Sequence, residues 1–565
     1  MYKMREGRRV LAGAFAALLL FSGCGASEQK PAPAESAEST AAAESSADAA
    51  DTDGANADGA NAAKEEVVVA VGGEKESGYD PCTGWASSGT PLFQSKLLDT
   101  DTNNTITNDL ATDYQVSEDG LTWTFHIRDD VKCHDGERLT ASDVAFTYNT
   151  TKANGISNVD LTQLDRAEAP DDTTVVFHMK EPSSIFLYQA AALGIVPEHA
   201  YSNPMEYAQH PIGSGPYRFV QWDKGQQLIV ERNEAYYQGV PPIKRLVLLF
   251  LSDDAAYAAL KAGQVDVAKV SESIAAQGME GYQLVDVQTN DFRTIALPVT
   301  KPGKTSAEGY PIGNDVTSDP AIRKAIAHGI NRQKIIDDVL YGFGQPTFTI
   351  SHGLPWDNPE VTFQDGDVDT AKKILDEAGW VDTNGDNIRE KEGQPAQFTL
   401  IYASDDSTRQ AISMAVADQA KEFGIDIQTE GLSSADRNPR KHKDAFMLGG
   451  GDYNPTPVYN ALYGPFAAKG GWYNIVAYEN KTVDGYLEQA VSAKTEEEAN
   501  QYWKLAQWDG TTGGSVMGDA PYVYIANISH LYFVRDGVDI GHQKIHPHDH
   551  GFAVLGNIMD WSAAK

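Results

Sequence analysis

Between Gly25 and Glu65 the chain has no aromatic residue and consists almost wholly of Ala, Ser, Glu, Asp, Gly and Pro. Such a stretch cannot bury enough apolar surface to offset its ordering entropy, so it is expected to be disordered. Its carboxylates repel one another and favour an extended chain. Whatever folds must fold after it, and about 500 residues remain, more than one ordinary core organises. They can build substantial cores: the chain is 41% hydrophobic, with 9 Trp, 25 Tyr and 19 Phe.

Ahead of that tract, Lys3, Arg5, Arg8 and Arg9 precede an apolar run from Val10 to Phe21, and Ser22-Gly23-Cys24 follows it. A basic start, a short apolar run and a small-residue cleavage site make a secretory signal peptide over residues 1–23. The run falls short of the about 20 residues that span a bilayer. Cys24 at the cut resembles the bacterial lipobox. That resemblance implies a lipid on the Cys24 thiol and a protein anchored at the extracytoplasmic face of the cell membrane, with residues 24–65 as its tether. Plain secretion with an unmodified thiol is the alternative. No later apolar run nears the roughly 18 residues of a membrane span. The net charge of −35 argues against nucleic acid as a partner, since phosphate binding needs clustered Lys and Arg. Cys82 and Cys133 remain; two cysteines in an exported protein can form one disulfide, and their spacing does not decide it.

The body opens on Val67-Val68-Val69-Ala70-Val71-Gly72-Gly73, an apolar run ending in glycines that predicts a buried strand. Asp119-Gly120 predicts a turn, and Leu121, Trp123, Phe125 and Ile127 then alternate as a hairpin arm. Thr140, with Asp143 three residues on, predicts a helix start. Short strands alternate with helical patterns such as Thr370 to Ala378, which predicts α/β architecture.

The segment SEDGLTWTFHIRDDVKCHDGERLTASDVAFTYN (Ser117 to Asn149) resembles the signature of the family 5 extracellular solute-binding proteins, receptors of ABC importers for peptides and nickel. Pro211 to Tyr237, Ala255 to Ala268 and Asp319 to Ile336 resemble later family segments in the same order. The resemblance implies an α/β, periplasmic-binding-protein-like fold of type II, in its large three-lobe variant. Lobe I would comprise residues 66–108, 201–290 and 520–565, an inserted lobe II residues 109–200, and lobe III residues 291–519. Two hinge crossings are expected at Phe292 to Thr300 and Pro521 to Asn527. The implied protein is a monomer that closes on its ligand and delivers it to ABC permease subunits driven by cytoplasmic ATPases. It has no cofactor; nickel or another transition metal would enter only as cargo.

Two segments carry site chemistry. Gly451-Asp452-Tyr453-Asn454-Pro455 resembles the oligopeptide-binding branch, which implies that Asp452 pairs with a peptide's α-ammonium in the cleft, beside Tyr453. A carboxylate out of water needs such a partner. Trp472 and Tyr473 would form an aromatic wall, and Arg293 would receive a carboxylate through its fork of donors. The second segment is His546-Pro547-His548-Asp549-His550, in which alternate imidazoles of an extended strand share a face; His546, His548 and His550 are candidate ligands of a transition metal. This makes a nickel or metal-chelate receptor the main rival to a peptide receptor.

Other motifs fall short of their chemistry. Gly303-Lys304-Thr305 lacks the upstream glycine of a phosphate loop, with Pro298 in its place. Asp382-Thr383-Asn384-Gly385-Asp386 resembles a calcium loop but has Asn387 at the sharp turn and Gly393 at the twelfth position, so it reads as a polar hairpin tip. Gly213-Ser214-Gly215 lacks the spacing of a nucleophile elbow and suits close packing. No enzyme activity is expected, and a secreted hydrolase or a surface receptor is the alternative of another class.

Overall fold

Three β-sheets organise the computed structural model, which describes residues 65–86, 90–155, 157, 159–548 and 551–564. The leader, Cys24, the acidic tract before Glu65, and His550 lie outside the described residues.

The smallest sheet is the one the alternating pattern builds. Trp123, Phe125 and Ile127 are buried on one face of strand Thr122–Ile127, which pairs antiparallel with Ala111–Val116 and Thr174–Met179. The left-handed turn falls at Gly120, φ 71°. Helix Ala141–Asn154 packs on this sheet, and its first turn is a capping box in which the Asp143 carboxylate accepts the Thr140 amide at 2.7 Å.

The apolar run at Val67 becomes strand Glu66–Ala70 near the centre of a seven-stranded sheet, parallel to both Arg245–Leu249 and Val267–Val270. Close backbone packing braces the segment that leads into strand Tyr217–Asp223 of this sheet. A Cβ at Gly213 would stand 2.1 Å from the Phe93 carbonyl oxygen, and one at Gly215 2.6 Å from that of Leu92, so only glycine fits either place. Close packing is therefore what this Gly-Ser-Gly serves.

The six-stranded sheet runs, in spatial order, Gly344–Pro346, Tyr522–Ile528, Phe292–Ala296, Ala445–Gly450, Gln397–Ala403, Asp426–Leu432. Its strands alternate between two cores. Ile295, Leu400, Met447 and Val523 face a core with Ile326, Ile336 and Val416, while Phe292, Ile401, Phe446 and Tyr524 face another with Leu487 and Trp503. Helices on both faces of a largely buried sheet make this the α/β layering expected.

The expected hinge segments are themselves core strands, Phe292–Ala296 and Tyr522–Ile528, paired antiparallel inside the six-stranded sheet. The chain crosses between the large sheets just outside them, through residues 288–291 and through Ser529. These crossings are bonded to one another: Thr289 Oγ1 donates to the Ile528 carbonyl at 2.5 Å, and the Ile528 amide to the Asp291 carbonyl at 3.0 Å.

Cys82 and Cys133 are separate, buried free thiols, so no disulfide joins them. Burial pushes each up to about 12, which leaves both as inert thiols.

Candidate functional site

A cavity of about 1080 Å³ lies where the crossings bring the two large sheets together, lined by Val71 and Lys269 from the seven-stranded side and by Phe292, Arg293, Leu448 and Tyr524 from the six-stranded side. Short loops at strand ends supply much of its polar surface. Strand Ala445–Gly450 ends in two glycines and Gly451 follows it, and they matter for what stands next to them. A Cβ at Gly449 would lie 2.5 Å from Arg409 Nη2 and 2.8 Å from Arg293 Nη1, so its absence is what lets two guanidiniums meet over the strand. Arg437 joins them on the lining, its guanidinium 5.7 Å from the Phe446 ring.

Two of these cations have carboxylates. Arg293 pairs with Asp291, and Arg409 pairs with Asp406, the residue that caps helix Ser407–Ala420. Burial alone would raise the Asp291 carboxyl; the Arg293 guanidinium and hydrogen bonds from His530 and His548 outweigh it and hold the group well below the carboxylate range. Arg409 is lowered, first by burial and then by repulsion from Arg293. Donors remain over: among the described residues, Arg293 Nε and Arg437 Nε are buried without hydrogen-bond partners. An anion entering here would meet ready-made donors.

Asp452 follows the glycines. Its carboxylate accepts the Tyr453 amide at 2.7 Å and has no ion pair among the described residues. Burial pushes it up to about 6, against the lowering effect of the Tyr453 and Asn454 hydrogen bonds. It faces a separate small cavity of about 20 Å³, shared with Tyr453, Tyr188, Lys96 and Lys544. Both lysines are engaged by Asp99, Lys96 at 2.6 Å and Lys544 at 3.0 Å. Asp452 is thus a carboxylate held partly out of water with no counter-ion among the described residues.

The remaining expected residues divide. Trp472 lines the large cavity with its ring 5.7 Å from Phe446, whereas Tyr473 packs on Phe466 at 5.2 Å and lines neither cavity. The aromatic wall is one ring, not two. His546 and His548 do not converge on a common point. The backbone at His546 is tied to Gln288 and Asn290, which buries its imidazole against His530, Nδ1 to Nδ1 at 3.2 Å. The chain bends at His548, which turns into the large cavity and meets Asp291 at 2.8 Å. Among the described residues the one group of three able to share an ion is Asp382, Asp386 and Glu390, in the exposed hairpin outside the cleft. Its carboxylates are occupied by local donors, as when Asp382 accepts the Gly385 and Asn387 amides at 2.7 and 3.0 Å.

Sequence reasoning missed Arg409, Arg437 and Glu272. The local signal for Arg409 is an Asp406 cap three residues earlier, but its place in the cleft depends on Gly449, forty positions away. Glu272 lines the cavity from the seven-stranded side and is raised by burial, with Arg293 and Lys269 opposing.

Comparison with known proteins agrees with this architecture. Residues 105–474 match the family described as bacterial extracellular solute-binding proteins, family 5 Middle. Protein XP55 of Streptomyces lividans is 32% identical over 496 residues, covering 84% of this chain and 86% of its own. The oligopeptide-binding protein AppA of Bacillus subtilis is 27% identical over 497 residues, covering 84% and 87%. In structure the chain is similar to NikZ of Campylobacter jejuni, solved with Ni(L-His), at a TM-score of 0.71 and 22% identity over 88% of this chain and 99% of that one.

Proposed function

From the premise that the chain belongs to the family 5 bacterial extracellular solute-binding proteins, the ligand-capturing components of ABC importers for peptide or nickel-type cargo and not enzymes, we propose that it captures short peptides in the cleft between its two large sheets. The observation that carries this reading is Asp452. A carboxylate held partly out of water, with no counter-ion among the described residues, is unfavourable unless a cation arrives to meet it, and a peptide's α-ammonium is such a cation. The same peptide ends in a carboxylate, for which Arg293 and Arg437 offer spare donors in the large cavity. Part of that large cavity's lining is glycine backbone and Trp472, which make few demands on side chains.

Closure about the crossings at residues 288–291 and Ser529 would withdraw the ligand from water, and cargo can drive it only by its differential affinity for the closed form. The three-lobe division set out above, with the small sheet as the inserted lobe, belongs to the same proposal. So does anchoring through a lipid on Cys24, supported by the leader's pattern; among the described residues no helix is long and apolar enough to cross a membrane.

Asp452→Asn tests the reading. Removing one partner of a desolvated charge pair costs about 2–5 kcal/mol of binding, so capture of a mixed peptide pool, read by calorimetry and mass spectrometry, is expected to fall by at least thirtyfold. Unchanged capture would sink it. One observation favours the rival, a metal chelate: His548 faces the large cavity, where an imidazole could meet a metal whose chelator's carboxylates rest on the arginines. In that case His548→Ala abolishes capture and Asp452→Asn spares it.

A further inference from the structure

We propose that Tyr188 seals the small cavity at Asp452, so that only cargo ending in a bare primary ammonium is accepted. This rests on Asp452 as the ammonium anchor and adds the residue that polices it.

Tyr188 lies in the short helix Phe186–Ala192. Phe186, Leu187 and Ala190 of that helix belong to the core of the small sheet. Tyr188 points the other way. Its ring enters the core that covers one face of the six-stranded sheet, edge-on to Trp356 at 5.5 Å, and its hydroxyl donates to Glu496 Oε1 at 2.9 Å. The preceding turn is fastened to the neighbouring helix Lys481–Ser492: the Ser184 amide donates to the Val491 carbonyl at 2.7 Å and the Ser184 hydroxyl to that of Ala490 at 2.8 Å. One short segment of the small-sheet body is therefore fixed to the six-stranded body by ring packing and three hydrogen bonds.

That segment is also the wall of the Asp452 cavity, which Tyr188, Ala191 and Ala192 line. The space left is about 20 Å³, near the minimum for one water molecule. An ammonium is of that size; an ammonium carrying methyl groups is not. Across the cavity Lys96 and Lys544 are held by Asp99, with Asp109 adding its field to both, so these cations do not displace the guest. Bulk, supplied by a ring that cannot retreat because it is packed on Trp356, then decides which cations enter.

The test holds charge constant and varies bulk. A lysine-free pool of tri- to nonapeptides is divided and one half converted to N,N-dimethyl α-amines, which stay cationic. Each protein is offered the mixed halves, and the captured ratio of free to dimethylated peptide is read by mass spectrometry. The wild-type protein is expected to favour free amines by roughly tenfold or more, the discrimination typical of an added methyl in a tight pocket. Tyr188→Ala should bring the ratio towards one. Tyr188→Phe keeps the ring, loses only the bond to Glu496, and should keep discriminating. Ala192→Gly widens the same wall without touching the Trp356 contact and should lower the ratio too, so the result does not depend on Tyr188→Ala folding. A wild-type ratio near one, or an unchanged ratio in both widened variants, overturns the seal and leaves the Asp452 reading standing. Capture by Asp452→Asn equal to wild type, or no capture of either half by the wild type, overturns the Asp452 reading and the seal with it.

Discussion

The two acidic groups nearest the glycine run, Asp291 and Asp452, stand in opposite electrostatic states. Asp291 is saturated: Arg293 pairs with it, His548 reaches it at 2.8 Å and His530 at 3.4 Å. Asp452 has its neighbour's amide and no cation among the described residues. The Asn290 side chain, one residue before Asp291, donates to the Asp452 carbonyl, so the two sites share a scaffold. Their chemistry is the same and their environments pull them apart, one far below the ordinary carboxylate range and the other up to about 6. A charged residue with every partner in place is part of the frame, whereas one left unpaired at a cavity is open to a guest.

Removing each charge in turn is the sharpest way to break that contrast. Asp291→Asn strands Arg293, which is 5% exposed, without its counter-ion. Breaking a buried pair from one side costs about 3–5 kcal/mol, so the denaturant midpoint should fall markedly. Asp452→Asn should leave that midpoint unchanged or raise it, because a carboxylate with no counter-ion among the described residues is replaced by a neutral amide. Equal losses of stability in the two variants would show that Asp452 too is structural, and the distinction would collapse.

A smaller effect is expected at the glycine that gathers the arginines. At Gly449 the nearest atoms to an added methyl are side-chain atoms of Arg409 and Arg293 and not backbone, so Gly449→Ala should displace the guanidiniums while the chain still folds. Peptide affinity is then expected to fall by about 1.5–3 kcal/mol, the scale of one displaced hydrogen bond to a charge, with a smaller loss of stability than Asp291→Asn shows. Gly551→Ala is the control from the frame. There φ is 119° and a Cβ would stand 1.9 Å from the Val71 carbonyl oxygen, a backbone clash that should lower stability directly.

How far these roles were legible in the sequence follows from the range of the forces involved. Trp123, Phe125 and Ile127, the Thr140 cap and the Val67 strand depend on neighbours a few residues away, and all stand where their local pattern puts them. Asp452 and Arg293 could be singled out as side chains of the right type, but not their states of pairing. Whether a carboxylate is neutralised depends on residues such as His530 and His548, more than two hundred positions from Asp291. The histidine run shows the same dependence on distant residues: His546 and His548 share a face only while the strand stays extended, and their backbones are bonded to Gln288, Asn290 and Gly451, while His550 lies outside the described residues. Tyr188 carried no local signal at all, since its neighbours in the helix face a different core.

Acidity gives the mildest test, and its two halves have opposite sign. Asp291 is lowered in the fold, so its contribution to stability is complete above the unfolded carboxylate value of about 3.9 and is lost as the pH falls through its folded value. Asp452 is raised from 3.8 to about 6, so the fold holds its proton more tightly than the unfolded chain does. Its burial therefore destabilises fully above about 6 and progressively less as the pH falls towards 3.8. Binding runs the other way. An incoming ammonium needs Asp452 ionised, so each pH unit below about 6 should weaken peptide capture by about tenfold. Calorimetry of one peptide pool at pH 7 and pH 5 reads this directly, with Asp452→Asn as the comparison in which the dependence disappears. If the wild type binds equally at both values, the carboxylate is already paired when the cleft is empty, and Asp452 belongs with Asp291 in the frame.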